Sequence, residues 1–343
     1  MTRCAHELLP ESFKAWTWQR GSDPRALAIK DLPLARPEPG EVLVCNEAIG
    51  LNPVDWKVLG MPGWRADHVP GVDGAGVVVG VGEGVAATWL GQPVAYHQSL
   101  QRNGSYAQFV NIPARALLRR PSGLDALTAA SFPCPGLTAW MALEKLPAGK
   151  GRRLLLGGAG GAVGHYLVQL AQERGFAVTT MSHPRHHSRL RALGACECLP
   201  GPLAEGQSWP EREAGFAAVI DTIGAEHAAR LAGALLANGH LVCIQGRVPQ
   251  WPCAAFGRAL SLHEVALGAL HQFGTDAAWA ELGAAGEALL ARLADGTLKP
   301  EALIVDDFDS LAQRLSDLRA RNFSGKPVIH IGSASNFKSE RQS

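Results

Sequence analysis

The chain has 343 residues, 47% of them hydrophobic and 18% charged, and its 32 Lys and Arg against 31 Asp and Glu leave a formal net charge of +1. That length accommodates two domains with sizeable cores, and the near-neutral charge removes the electrostatic case for a nucleic-acid or membrane-surface partner. Seven cysteines without a paired spacing point to reduced thiols, the stretch from Met1 to Lys14 is broken by His6, Glu7 and Pro10 where a signal peptide needs an apolar run, and no stretch reaches the ~18 apolar residues of a membrane span, so a cytoplasmic protein is expected.

Residues 1–12 and 333–343 are polar and without periodicity, which predicts mobile tails. From Phe13 to about Leu118 the pattern is short β segments punctuated by Gly and Pro: Ala15–Trp18, Leu27–Asp31, Glu41–Leu51, Gly74–Val81, Pro93–Tyr96 and Tyr106–Asn111. Many short strands with regular turn signals predict a compact, barrel-like β domain. After Pro121 the character changes. Leu124–Phe132 and Gly136–Leu146 read as helices that lead into the glycine-rich stretch 153–182.

That stretch reads as a strand (Leu154–Leu156), a glycine-rich turn (Gly157–Gly164), a helix (about Val163–Arg174) and a second strand (Phe176–Met181). Ala159-x-Gly161-x-x-Gly164 fits the dinucleotide fingerprint except for Ala at its first place, and it sits in the strand–turn–helix context that the motif requires. A turn nearly free of side chains lets backbone N–H groups approach a pyrophosphate at the helix N-terminus. Gly161 is expected to permit that approach and Gly164 to let the helix pack tightly on the strand. The β-α alternation continues through a short strand at Cys196–Leu199, a strand at Ala217–Asp221, a helix at Glu226–Leu236, a strand at His240–Gln245 and another at Leu262–Leu270, the signature of a doubly wound parallel sheet. The chain then reads helix (about Asp276–Asp295), strand (Leu303–Val305), helix (Leu311–Arg321) and strand (Pro327–Ile331).

Six motifs in order carry a family likeness: Gly50–Lys57 (GLNPVDWK), Val69–Val78 (VPGVDGAGVV), Gly104–Phe109 (GSYAQF), Gly136–Trp140 (GLTAW), the glycine-rich unit, and Gly325–Val328 (GKPV). Over about residues 13–331 the chain resembles the medium-chain dehydrogenase/reductase superfamily, in its zinc-independent quinone oxidoreductase (zeta-crystallin-like) branch. The resemblance implies an α/β fold in which a doubly wound Rossmann domain, residues 134–275, is inserted in a chaperonin-10-like (GroES-like) β domain, residues 1–133 and 276–343. It also implies a homodimer joined edge to edge through the cofactor-domain sheets, with Leu262–Leu270 as the edge strand. An exposed apolar strand edge has to be covered or paired.

A catalytic zinc needs about three protein ligands and a structural zinc usually four thiolates. The chain has no Cys-x-x-Cys; Asn52 stands where zinc-dependent relatives carry a cysteine, and Gly71-Val72-Asp73 replaces their Gly-His-Glu, so no metal is expected. Cys196-x-Cys198 and the cluster His183, His186, His187 are the residual metal candidates, and a buried strand with small side chains explains the former equally well.

The histidine-rich stretch has another use. Between Val178 and Ala195 there is no Asp or Glu to accept a ribose hydroxyl, while Ser182, Arg185 and Arg189 cluster there. A carboxylate repels a 2′-phosphate and a guanidinium binds it, so NADPH is expected as the cofactor, with Ser182 and Arg185 as phosphate contacts; the competing reading makes these the solvated start of a helix, Arg189 above all. Gly158, Ala159, Gly160, Gly161, Ala162, Val163 and Gly164 complete the expected cofactor contacts of the turn.

By resemblance, Asn52 and Thr138 lie near the nicotinamide, Gln245 and Gly246 line its side of the cleft, and Lys326 joins the cofactor-binding set. Asp55 is either a polar group near the substrate or a structural carboxylate in its turn, and Tyr106 is structural. Enoyl-thioester reductases of the superfamily place a tyrosine proton donor shortly after the Asn-Pro motif, but no tyrosine lies between Gly50 and Tyr96 here. Protonation is left to water, Lys57 or an unrecognised group. Trp56, Met61 and Trp64 suit an apolar pocket, although turn packing explains each. The expected activity is NADPH-dependent reduction of quinones or α,β-unsaturated carbonyl compounds by hydride transfer. The alternatives are an NADP(H)-binding structural or regulatory protein with negligible turnover and, against the missing zinc ligands, an alcohol dehydrogenase.

Overall fold

The computed structural model describes residues 9–321 and 323–332. The expected tails therefore lie outside the described residues, except that Leu9 packs against Leu43, Cys45 and Phe109 and the first strand already begins at Ser12. The chain divides into two units, Met1–Cys134 with Gly268–Ser343, and Pro135–Leu267.

The first unit contains β1 (Ser12–Thr17), β2 (Ala28–Pro33), β3 (Glu41–Gly50), the five-residue helix α1 (Pro53–Lys57), β4 (Asp73–Val81), β5 (Pro93–His97), β6 (Phe109–Pro113), β7 (Leu117–Arg119) and α2 (Ala126–Ser131). Strands β1 and β2 form an antiparallel ribbon. The chain enters α3 (Pro133–Glu144) before it crosses into the second unit. Strand β3 is the centre of the first unit's sheet: nine of its ten residues are buried, and it pairs with both β4 and β6.

The second unit continues with β8 (Arg153–Gly157), α4 (Ala162–Glu173), β9 (Ala177–Ser182), α5 (His187–Ala192), β10 (Glu197–Pro200), β11 (Phe216–Asp221), α6 (Ala225–Leu231), β12 (Leu235–Cys243) and β13 (Ser261–Glu264). Its six strands lie in the order β10-β9-β8-β11-β12-β13, all parallel. Leu154, Leu155 and Leu156 are fully buried on β8, which explains why the strand reads as an uninterrupted apolar run. The chain leaves β8 for β9 on one side and later returns to β11 on the other. This reversal is where open α/β sheets bind ligands.

The chain returns to the first unit with α7 (Leu270–Phe273), α8 (Asp276–Asp295), β14 (Leu303–Asp307), α9 (Leu311–Ala320) and β15 (Lys326–His330). Helix α8 starts where the Thr275 hydroxyl accepts from the Ala278 N–H, and ends at Gly296 in the left-handed region, φ +78°. The parallel pair β14–β15 joins the sheet through β15 and β3. Leu311, Leu315 and Ile329 thereby enter one core with Trp16, Ile49 and Tyr106.

Two elements differ from expectation. The helix expected over Glu226–Leu236 stops at Leu231, because Leu235 is already paired with Phe216 of β11. The edge strand expected over Leu262–Leu270 is only Ser261–Glu264; Leu267–Ala269 is a 3-10 turn with Leu267 buried, and Leu270 begins α7. Residues 268–275, placed with the middle segment on sequence, belong to the first unit, where the Leu270 carbonyl accepts from the Trp279 indole. Among the described residues no helix is long and apolar enough to cross a membrane.

Candidate active site

Asn52 stands between the end of β3 and α1 and is 2% exposed. Proline at the next position suits a helix start, and the Asp55 side chain reaches back, its Oδ2 accepting from the Asn52 backbone N–H at 2.7 Å. The other Asp55 oxygen accepts from the Val72 N–H at 3.2 Å. Both carboxylate oxygens thus tie the Asn52 turn to the segment before β4, which is the structural role open to Asp55 on sequence.

Burial pushes the Asp55 carboxyl up to about 7; the Asn52 N–H opposes this, the Asp73 charge adds to it, and Lys326 lowers it. A folded-state pKa above the ordinary carboxylate value stabilises the fold fully below about pH 4, and that contribution is lost as pH rises through about 7. In urea unfolding, Asp55→Asn is expected to gain on the wild type between pH 4 and 8, by up to roughly 4 kcal/mol. A difference that does not change with pH contradicts this.

The Asn52 amide is held at both ends. Its Nδ2 donates to Asp73 Oδ2 at 2.8 Å and its Oδ1 accepts from the Lys326 ammonium at 2.5 Å. Lys326 is 3% exposed and also donates to the Leu51 carbonyl at 2.9 Å, so the side chain expected among the cofactor contacts anchors Asn52 in the first unit. Asp73 is fully buried at the start of β4. Its Oδ2 also accepts from the Cys134 N–H at 2.9 Å, and its Oδ1 lies 2.9 Å from Nδ1 of His97, its cross-strand partner at the end of β5.

The ligand atoms of Asp73, His97 and Cys134 lie within 4.8 Å of one another, the one such group of three among the described residues. Cys196, Cys198 and the histidines near them form no comparable group: Cys196 is exposed and the Cys198 thiol points at the His187 carbonyl, 3.7 Å away. Hydrogen bonds occupy both Asp73 oxygens and the ring nitrogen facing them.

Other candidates of the first unit serve packing. Tyr106 is fully buried and lies against Gly71, where an added Cβ would come within 2.2 Å of its ring. Trp64 stacks on His68 and meets Trp18 edge-on, and Trp56 and Trp64 both pack on the core around Trp16. Lys57 is exposed, with its ammonium 5.6 Å from the Trp56 ring centre.

In the second unit the turn Gly157–Gly161 joins β8 to α4. Gly158 takes φ +75°, which disfavours any residue with a Cβ, and its N–H bonds the Met181 carbonyl at the end of β9. Gly161 is the N-cap of α4, and a Cβ there would meet nothing within 4 Å. A Cβ on Gly164 would sit 2.3 Å from the Ala159 carbonyl oxygen, so the close packing that Gly164 permits is against the turn itself. The space beside Gly161, at the start of this twelve-residue helix, is thus clear of other atoms, and a helix N-terminus in general favours an anion.

Two supports of the turn were not read from the sequence. Thr222, just after β11, donates its hydroxyl to the Gly157 and Gly158 carbonyls, both at 3.0 Å. Asp221 beside it is buried, accepts from the Ile223 and Gly224 N–H groups, and bonds Nδ1 of buried His227. An acidic residue at the carboxyl end of a central strand was the available signal for it.

After β9, Ser182 is buried and Arg185 is exposed, with its Nε 3.1 Å from His186 Nε2. His186 packs over the turn, where a Cβ on Gly160 would come within 2.5 Å of its ring; burial, then Arg189 and Arg185, push its pKa down to about 4, leaving a neutral ring able to accept. Arg189, the residue weighed as merely solvated, donates to the Gly160 carbonyl at 2.7 Å and lies 3.0 Å from His165 Nδ1. A positive cluster is thereby fixed beside the glycine-rich turn. Thr138 is 7% exposed on α3, and Gln245 and Gly246 follow the end of β12, Gly246 with φ +95°.

The family model for the alcohol dehydrogenase GroES-like domain matches residues 38–122. A chloroplast envelope quinone oxidoreductase homolog of Arabidopsis thaliana is 37% identical over 188 residues, which cover 51% of this chain and 56% of that protein. A zinc-type alcohol dehydrogenase-like protein of Staphylococcus epidermidis is 34% identical over 157 residues, 44% of this chain and 46% of that one. The chain thus matches about half the length of these curated relatives. Among solved structures, a mycobacterial quinone oxidoreductase (TM-score 0.78, 26% identity, 93% of this chain and 100% of that one) and an alcohol dehydrogenase superfamily protein from Novosphingobium aromaticivorans (TM-score 0.78, 26% identity, 93% and 99%) share the fold.

Proposed function

Since the chain belongs to the medium-chain dehydrogenase/reductase superfamily, in its quinone oxidoreductase branch, we propose that this oxidoreductase is an NADPH-dependent, zinc-independent reductase of quinones or α,β-unsaturated carbonyl compounds. The observation that carries the cofactor choice is the positive segment after β9: no carboxylate between residues 178 and 195, Arg185 exposed, and Arg189 bonded to the glycine-rich turn. Bound NADPH supplies the hydride. In this reading the N–H groups of Ala162, Val163 and Gly164 receive the pyrophosphate, with Gly158, Ala159, Gly160 and Gly161 shaping the approach. Ser182 and Arg185 hold the 2′-phosphate, Thr138, Gln245 and Gly246 of the second unit serve the nicotinamide, and Asn52 of the first unit serves the acceptor.

The zinc-free reading is supported by Asn52 itself. Its oxygen already faces the Lys326 ammonium at 2.5 Å and its nitrogen already donates to Asp73, so a cation placed there would meet like charge and an amide turned away. A cytoplasmic homodimer joined through the β13 edge completes the proposal.

Oxidation of NADPH in the presence of a panel of quinones, enones and enals tests the activity. Tight NADPH binding with no turnover across the panel favours a structural or regulatory role, and stoichiometric, tightly held zinc in the purified protein overturns the zinc-free reading. Arg185→Ala is expected to weaken NADPH binding by about 10–100-fold, the loss of one charge-assisted contact, and to leave NADH binding within about twofold. Equal losses for the two refute the assignment.

A further inference from the structure

We propose that His97 is the proton donor of the reduction, a role that rests on the reductase reading above and that no tyrosine of the Asn-Pro region is present to fill. His97 ends β5, and its Nδ1 is committed to Asp73 at 2.9 Å. Asp73 is fully buried and its other oxygen accepts from two N–H donors, the Asn52 amide and the Cys134 backbone. A carboxylate only accepts hydrogen bonds, so the Nδ1–H is the donor in this pair and Nε2 is the nitrogen left for proton exchange. Nε2 makes no hydrogen bond among the described residues, and the ring as a whole keeps 6% exposure.

The groups around the ring leave it as the available acid. His271 faces it at 5.8 Å between ring centres and is held neutral, because burial, then the proximity of His97 and Arg115, push its pKa down to about 3. The Cys134 donor lies within 4.8 Å, and the Lys326 ammonium is engaged by Leu51 and Asn52. Asp73 therefore joins two side chains, the amide that the reductase reading places beside the acceptor and an imidazole with one nitrogen open. An oriented carboxylate–imidazole pair is suited to general acid work.

Bound NADPH would supply a hydride to the β-carbon of the enone; the C=C pair would move toward the carbonyl, and the Nε2–H bond of His97 would break, its electron pair staying on nitrogen, as the proton closes a C–H bond at the α-carbon. Water then reprotonates the ring.

The test uses the full chain and a 2-methyl-substituted enone, so that protonation creates a stereocentre. In His97→Asn the amide can still donate toward Asp73 but no exchangeable imidazole proton remains. Expected are a fall in kcat of about 100-fold, NADPH affinity within twofold, and loss of the single α-carbon configuration that the wild type produces. A kcat within threefold of wild type overturns the assignment, and so does a lower kcat with the configuration unchanged, which is the mark of a structural role. His97→Gln replaces the Asn variant if that one does not bind NADPH. A wild type that reduces no enone or quinone refutes the reductase reading and His97 with it, whereas a turning-over wild type with an unaffected variant refutes His97 alone.

Discussion

Asp73→Ala is expected to lower the unfolding free energy by about 3–5 kcal/mol, because it strips a buried charge from its partners and leaves donors without an acceptor. Three groups lose their partner together: the Asn52 amide, the Cys134 N–H and His97 Nδ1. The alanine methyl replaces none of these bonds, and with Asp73 fully buried, water is poorly placed to substitute. Chemical denaturation of the two proteins measures the difference. A double-mutant cycle with Asn52→Ala is expected to show coupling of about 0.5–3 kcal/mol, the range for side chains sharing one network. A loss below about 1 kcal/mol for Asp73→Ala means that the network contributes little, by the usual size of a surface substitution.

Gly164→Ala and Gly161→Ala are expected to part company. The Cβ of the first would lie 2.3 Å from the Ala159 oxygen and 2.6 Å from that residue's Cα and carbonyl carbon. All three are backbone atoms, so no side chain can swing aside, and helix or turn has to move. We expect a stability loss of about 1–3 kcal/mol, the ordinary cost of overpacking, and NADPH binding weakened at least 10-fold as the helix N-terminus leaves its position. Gly161 has φ −90° and open space beside it, so its alanine variant should unfold within about 0.5 kcal/mol of wild type. It should nonetheless lose NADPH affinity, because the methyl occupies the space into which the pyrophosphate is proposed to enter. Equal binding by Gly161→Ala and wild type would remove the pyrophosphate from that place.

The legible parts of the fold were those governed by local rules. Strand β8 was visible because three consecutive leucines bury on both faces, and α8 spans the Asp276–Asp295 that the sequence reading placed approximately, its ends set by the Thr275 cap and Gly296. The glycine at 164 was legible as a close-packing position, and the structure places the Ala159 carbonyl oxygen 2.3 Å from where its Cβ would be. Boundaries failed where a distant strand intervened: pairing of Leu235 with Phe216 ended α6 early, and burial of Leu267 turned the expected long edge strand into a helical segment.

The site divides in the same way. Asn52 and Val72-Asp73 were singled out on sequence because they stand where zinc-dependent relatives carry ligands, Asp55 as a carboxylate either near the substrate or structural in its turn, and the carboxylate-free run after Val178 for what it lacks. The partners of these residues were not legible. His97 lies 24 positions from Asp73, Lys326 lies 274 from Asn52, and Arg189 lies 29 from Gly160. By itself, then, the sequence determined the order of β and α elements, the glycine-rich turn and the absence of two familiar zinc ligands, since these rest on residue type and short spacing. Only the tertiary structure decided that Asp73 joins Asn52 to His97, that Lys326 anchors Asn52, and that Arg189 clasps the turn. A buried polar group takes its partner from whichever strand the sheet register brings opposite it, and register is a property of the folded chain.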